Sequence, residues 1–241
     1  MCTVSFVAVK GAVIITSNRD EHIQRKNAAA PAFHLLNNKK IIFPKDQKAG
    51  GTWFAASDQG VVGVLLNGAF EKHIPQPPYR KSRGLILLEI IEADDAFDHF
   101  TKIDLENIEP FTLILFQQAI LFELRWDGNI KHERKLDVEE NYIWSSSTLY
   151  NTEVIEHRNT LFEKFIGAST DISPGLVREF HSDDHGDEEN GFVINRPTGL
   201  KTFSITQAII KTGSVDFLHA DLLQHQQFEE TMQINGPIHS S

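Results

Sequence analysis

The residue best suited to chemistry is Cys2, the only cysteine among 241 residues. Cysteine is small enough that an initiator methionine before it would be removed. The mature chain would then open on a residue carrying both a thiol and a free α-amine. An α-amine titrates near 7.7–8.0 and a free thiol near 8.5, so the amine is well placed to accept the thiol proton at neutral pH. Nucleophile and base would thus share one residue. The plain alternative is a small residue at a chain end, which requires the lone cysteine to fall at position 2 by coincidence. A second group of polar residues, Asn18-Arg19-Asp20-Glu21, follows an apolar run. There Arg19 could orient a substrate carboxylate or hold a thiolate, and Asp20 could hold the α-ammonium and tune its proton affinity. Its plain alternative is a solvated turn closing a hairpin.

The elements that would bring these groups together can be read from periodicity. Thr3 to Lys10 and Ala12 to Ser17 are β-rich runs split by Gly11, which predicts a hairpin beginning at the N-terminus and ending at the charged cluster. A loop is expected through Asn27 to Pro31. Short strands follow at Ile41 to Phe43, Thr52 to Ser57 and Val61 to Leu66, with Gly50-Gly51 and Asp58-Gln59-Gly60 as turns. After the proline-rich stretch from His73 to Lys81, a helix is predicted from about Ser82 to Ala93, then a short turn to Lys102. Phe111 to Gln117, Ala119 to Trp126 and Ile130 to Leu136 read as strands, the last pair joined by the turn Asp127-Gly128-Asn129. Tyr142 to Ser147 is strand-like. Helical spacing covers Asn151 to Ile166 and Pro174 to Phe180; His181 to Asn190 reads as an acidic loop, and Thr202 to Lys211 with Val215 to Leu218 as a final hairpin. The tail from about Gln224 is polar and expected to fray. Sequential antiparallel groups with helices inserted between them predict an α+β fold in one domain, with two antiparallel sheets packed face to face and helices outside.

Composition narrows the function classes. With 41% apolar and 23% charged residues the chain is ordinary for a folded protein. A formal charge of −10 leaves no basic face for a phosphate backbone, so nucleic acid is not expected as a partner. No apolar run approaches the ~20 residues of a membrane-spanning helix, and the start lacks the pattern of a signal peptide. One cysteine excludes an internal disulfide framework. These features together predict a cytoplasmic location.

Met1-Cys2-Thr3, Asn18-Arg19-Asp20-Glu21, Gly50-Gly51-Thr52-Trp53 and Leu65-Leu66-Asn67 resemble the NRDE family, whose eukaryotic members are called transport and Golgi organisation proteins. The first 70 residues carry nearly all of this match. The resemblance implies an N-terminal-nucleophile hydrolase fold, a four-layer αββα sandwich. A more distant similarity runs to choloylglycine hydrolases and penicillin V acylases. It implies Cys2 as nucleophile and base, Arg19 and Asp20 as its neighbours, and Asn67 as an oxyanion-hole donor. Two positions depart from the pattern: Ser146, within Ser145-Ser146-Ser147, stands where those hydrolases place a second asparagine, and Lys201 where they place a late arginine. A serine reaches less far, and a lysine cannot grip a carboxylate with two prongs.

Asn18, Trp53, Ser146 and Lys201 are therefore candidate substrate contacts. Trp53 could wall a pocket that the flanking glycines let backbone approach; the alternative is a turn with a core aromatic. The acidic loop has ligand-type side chains but no fixed zinc spacing, so no metal site is expected. No Gly-x-Ser-x-Gly elbow supports a serine hydrolase. The expectation is a cysteine amidohydrolase acting on a small N-acyl amide and requiring no cofactor. Its rival is a non-catalytic carrier of haem or an acyl-lipid in the same cleft, with Cys2 as a potential iron ligand. A structural role with a degenerate site is a third option.

Overall fold

A computed structural model of the chain describes residues 3–168 and 171–235. Cys2 lies outside them. The first sheet has six strands in the order β10-β1-β2-β11-β12-β13 and the second has seven in the order β3 to β9. The first sheet holds β1 (Thr3–Val9), β2 (Ala12–His22), β10 (Tyr142–Ser145), β11 (Leu200–Lys211), β12 (Ser214–Asp221) and β13 (Gln226–Gln233). The second is the meander β3 (Ala29–Leu36), β4 (Lys39–Lys45), β5 (Phe54–Ser57), β6 (Val62–Asn67), β7 (Phe111–Gln117), β8 (Ile120–Trp126) and β9 (Lys131–Leu136). Every strand pairing is antiparallel.

Alternation along the strands sorts the apolar residues into three buried layers. Val4, Phe6 and Ile15 of the first sheet meet Phe54, Val64 and Leu66 of the second in the space between the sheets. Leu65 and Leu113 face outward against Ile86, Leu87 and Ile90 of α1 (Arg83–Glu92) and Phe100 of α2 (Ala96–Lys102). On the other outer face, Val7, Ile14 and Ile209 pack on Phe162 of α3 (Thr152–Ala168) and Val177 and Phe180 of α4 (Pro174–His181). The result is the expected αββα sandwich. Local signals start two of the helices: the Asp95 side chain accepts from the Asp98 amide, and Ser173 caps α4 just before Pro174.

Four expectations change. The polar tetrapeptide does not end the second strand: β2 continues to His22, because β11 pairs with it through Leu200 opposite His22. The segment Asn27 to Pro31 is not all loop, since β3 begins at Ala29. As the outermost strand of its sheet, with a register shift between Ala29 and Ala32, β3 tolerates Pro31. The tail does not fray at Gln224 but forms β13, an edge strand whose Met232 enters the inter-sheet core. His181 closes α4 and is fully buried rather than belonging to a solvated loop.

The glycine pair has a packing role. A Cβ on Gly51 would stand 2.3 Å from the Gly84 carbonyl carbon, and the Thr52 amide donates to the Gly84 oxygen at 3.2 Å. The close approach is therefore to the first turn of α1. Gly51→Ala should lower unfolding free energy by about 1–3 kcal/mol through overpacking, read as a lower denaturation midpoint with unchanged slope.

Candidate functional site

β2 is interior to its sheet, so the polar residues at its end must find partners. They do so on both faces. Arg19 follows the parity of Ile15 into the space between the sheets, whereas Asn18 and Asp20 meet the α3–α4 side.

Between the sheets, the Arg19 guanidinium donates to Asp46 Oδ2 at 2.9 Å and lies 3.7 Å from Glu21 Oε2. Asp46 follows β4, so this ion pair ties the two sheets together. Arg25 donates to the same carboxylate oxygen through Nε at 3.2 Å and Nη2 at 3.0 Å. The other oxygen, Oδ1, accepts the Lys48 and Ala49 amides. The turn is closed by Gly50, whose φ is +75° and whose amide donates to the Asp46 carbonyl. Trp53 is buried and its ring sits 4.4 Å from the Arg19 guanidinium carbon, with Phe203 at 5.6 Å. Trp53 thus walls Arg19, and its indole Nε1 has no hydrogen-bond partner among the described residues. Burial pulls the Arg19 pKa down while Glu21 and Asp46 oppose the fall. Burial also pushes the Asp46 carboxyl up, but the Ala49 amide and the two arginines outweigh it and leave its pKa lowered.

On the helix side, Asp20 accepts from the Tyr150 hydroxyl at 2.9 Å and from Thr202 Oγ1 at 2.6 Å. Asn18 is fully engaged: its amide donates at 2.9 Å to the carbonyls of His181 and Phe192, and its Oδ1 meets His181 Nδ1. His181 Nε2 is 2.7 Å from Ser5 Oγ. This Ser-His-Asn chain has the connectivity of a serine nucleophile, yet Ser5, His181 and Asn18 are all sealed at 0% exposure. Burial, then Arg158 and His185, lowers His181 to about 3, so it stays neutral and ties β1, β2 and α4 together.

Ser146 Oγ donates to the Asn67 carbonyl at 2.8 Å and lies 2.9 Å from Thr148 Oγ1, joining the end of β6 to the segment after β10. The Asn67 carboxamide makes no hydrogen bond among the described residues. Parity along β6 sets Asn67 with Leu65 at the end of the strand, just before Gly68 with its φ of +81°. Lys201 stands opposite Glu21 in the β2–β11 register without an ion pair among the described residues. Arg19, Trp53 and, through Glu21, Lys201 therefore neighbour one another. Asn18 and Asp20 lie across the sheet, and Asn67 joins Ser146 through its main chain. Sequence reasoning missed Asp46, Arg25, Tyr150, Thr202, Arg158 and His181. Only Arg25, four residues beyond Glu21, and Asp46, before the glycine turn, carried a local signal. No group of three or more acidic, cysteine or histidine residues suited to a metal occurs among the described residues.

The sequence model of the Transport and Golgi organisation 2 family matches residues 1–193. The chain belongs to this family. The Transport and Golgi organization 2 homolog of Mus musculus is 30% identical over 99 residues, an alignment covering 39% of this chain and 34% of the mouse protein. The matched stretch thus spans about a third of that relative's length. As a Transport and Golgi organisation 2 family member, the chain also has structural relatives at low identity. The Caenorhabditis elegans ortholog of N-acylethanolamine-hydrolyzing acid amidase superposes with a TM-score of 0.59 at 12% identity, covering 86% of this chain and 92% of that one. A mutant conjugated bile acid hydrolase from Clostridium perfringens gives 0.55 at 10% identity, covering 96% and 92%. These likenesses show the fold alone, two antiparallel sheets with helices outside. No helix among the described residues of this family member is long and apolar enough to cross a membrane.

Two acid sensitivities follow. The depressed Asp46 pKa stabilises the fold above the carboxyl's unfolded value, and this contribution disappears as pH falls through the folded one. Asp46→Asn should therefore cost on the order of 3 kcal/mol at pH 7, with the difference from the parent shrinking toward pH 2 in urea titrations. His181, at about 3, and His219, lowered to about 4 chiefly by burial, bind a proton more readily unfolded than folded. Each should lower stability by up to about 1.4 kcal/mol per pH unit as pH drops from 6.5 toward its folded value. His219→Gln should flatten the measured slope between pH 6 and about 4.

Proposed function

We propose that the protein is an N-terminal cysteine amidohydrolase that cleaves a small N-acyl amide. The observation that carries this reading is the register of Thr3, which stands opposite Asn18 on one side and Ser145 on the other. Were the same register to continue by one residue, Arg19 and Ser146 would be the cross-strand neighbours of Cys2. Parity with Val4 and Phe6 would turn the thiol toward the space between the sheets.

In this reading the α-amine of Cys2 takes the thiol proton and the thiolate attacks the amide carbon. The tetrahedral oxyanion collapses to a thioester as the α-ammonium gives its proton to the leaving amine. Water, activated by the same amine, then hydrolyses the thioester to release the acid and restore the thiol. Asp20, already oriented by Tyr150 and Thr202, would hold the α-ammonium. Asn67 and backbone amides would donate to the oxyanion. The fold shared with an N-acylethanolamine-hydrolyzing amidase and a conjugated bile acid hydrolase supports an amide substrate.

A second reading rests on a different observation. A cavity of about 1060 Å³ opens at the hairpin end of the sandwich, lined by Ala8, Val13, Phe116, Val138 and Ile210 with Lys10 and Lys211 at its edge. Its size suits a carried ligand. Among the described residues its lining has no histidine, cysteine, methionine or tyrosine to serve as an axial haem ligand, and its apolar part suits an acyl chain. Haem ligation would fall to Cys2, which lies outside the described residues.

Protein with Met1 removed, verified by intact mass, should release ethanolamine from neutral N-acylethanolamines, and Cys2→Ala should abolish release while keeping the parent's circular dichroism. Equal turnover by parent and Cys2→Ala would end the amidohydrolase reading. Haem titration separates the carrier: a Soret shift present in the parent and missing in Cys2→Ala would mark thiolate ligation, and identical spectra would exclude it.

A further inference from the structure

α3 is largely polar, yet it turns Arg158 inward with Phe162, and Arg158 is 0% exposed. All three guanidinium nitrogens are used. Nη1 donates to Thr3 Oγ1 at 2.5 Å and to Ser145 Oγ at 3.4 Å, Nε to the Asn190 carbonyl at 2.9 Å, and Nη2 to the Gly191 carbonyl. These acceptors are neutral oxygens; no carboxylate is among them. The guanidinium carbon also lies 3.7 Å from the Tyr150 ring centroid, and the hydroxyl of that ring donates to Asp20. No carboxylate pairs with it among the described residues, and burying a guanidinium on neutral acceptors costs several kcal/mol of desolvation, so an apolar residue would fill the space more favourably. The arrangement nevertheless gathers the first described residue of β1, the last of β10, the Asn190–Gly191 segment and the Tyr150–Asp20 pair around one cation.

We infer that Arg158 is a positioning residue for the candidate site, holding Thr3, which follows Cys2 in the chain, and the Tyr150–Asp20 pair in fixed relation. The inference rests on the reading of Cys2 proposed above. Arg158 acts on β1 through Thr3 Oγ1 and on Asp20 through the stacked Tyr150 ring. Lysine retains the charge but neither the fork nor the flat face.

The test is the pH dependence of Cys2 alkylation by iodoacetamide, which requires no knowledge of the substrate. The parent should show a thiol pKa below the usual ~8.5, and Arg19→Ala should raise it. Arg158→Lys should also raise it by about one unit, giving roughly tenfold slower alkylation near neutral pH while circular dichroism is unchanged. Thr3→Val removes the nearer of the two Nη1 acceptors without changing side-chain shape and should move the profile in the same direction. If Arg158→Lys does not fold, Thr3→Val and Tyr150→Phe decide the matter. A low parent pKa left unmoved by Arg158→Lys, or by Thr3→Val and Tyr150→Phe together, overturns the role of Arg158 and leaves the Cys2 reading standing. An ordinary parent pKa unaffected by Arg19→Ala overturns both.

Discussion

A guanidinium inside a two-sheet core must be neutralised where it stands, and the Arg19–Asp46 contact at 2.9 Å meets that demand across the gap between the sheets. Much of the local architecture serves this contact. Asp46 is held by the Lys48 and Ala49 amides, its turn depends on the left-handed Gly50, and Gly51 lets α1 close over the same turn. Trp53, two residues further on, covers the guanidinium. The sequence motif Gly50-Gly51-Thr52-Trp53 is thus the counterpart of Asn18-Arg19-Asp20-Glu21 in the opposite sheet.

One strand separates two chemical environments. Alternation along β2 sends Arg19 into an ionic cluster between the sheets and sends Asn18 and Asp20 into a layer of mostly neutral hydrogen bonds beneath α3 and α4. In that layer His181 stays uncharged, Ser5 is sealed, and Thr202 and Tyr150 donate to Asp20. Arg19 between the sheets is met by carboxylates, whereas Arg158 on the other face donates to neutral oxygens. Arg158 belongs to the second kind of environment, which is why its burial is better explained by placement than by pairwise attraction.

The helices α1 and α3, the hairpins and the sandwich were legible because they depend on local periodicity and on turn residues such as Asp127-Gly128-Asn129. The end of β2 was not, because polar residues usually end strands and here they continue through pairing with β11, some 180 residues later in the chain. β3 and β13 were obscured for the opposite reason: edge strands accept proline and charge that an interior strand would refuse. At the site, Arg19 and Asp20 stood out by type. Their partners Asp46, Tyr150 and Thr202 come from separate elements, and no spacing rule links a tyrosine after β10 to an aspartate in β2.

The ionic cluster also bears on which ligands the site can take. Arg19 and Arg25 carry two positive charges, and Glu21 and Asp46 two negative charges, so the group has no formal excess to attract an anion. A substrate carboxylate could be gripped by Arg19 only by displacing one it already holds in a buried setting, at a cost in desolvation that the new contact would have to repeat. A guanidinium committed in this way is suited instead to fixing local geometry and favouring a nearby anion formed during reaction. For the proposed amidohydrolase, neutral amides would meet that requirement without disturbing the tie between the sheets.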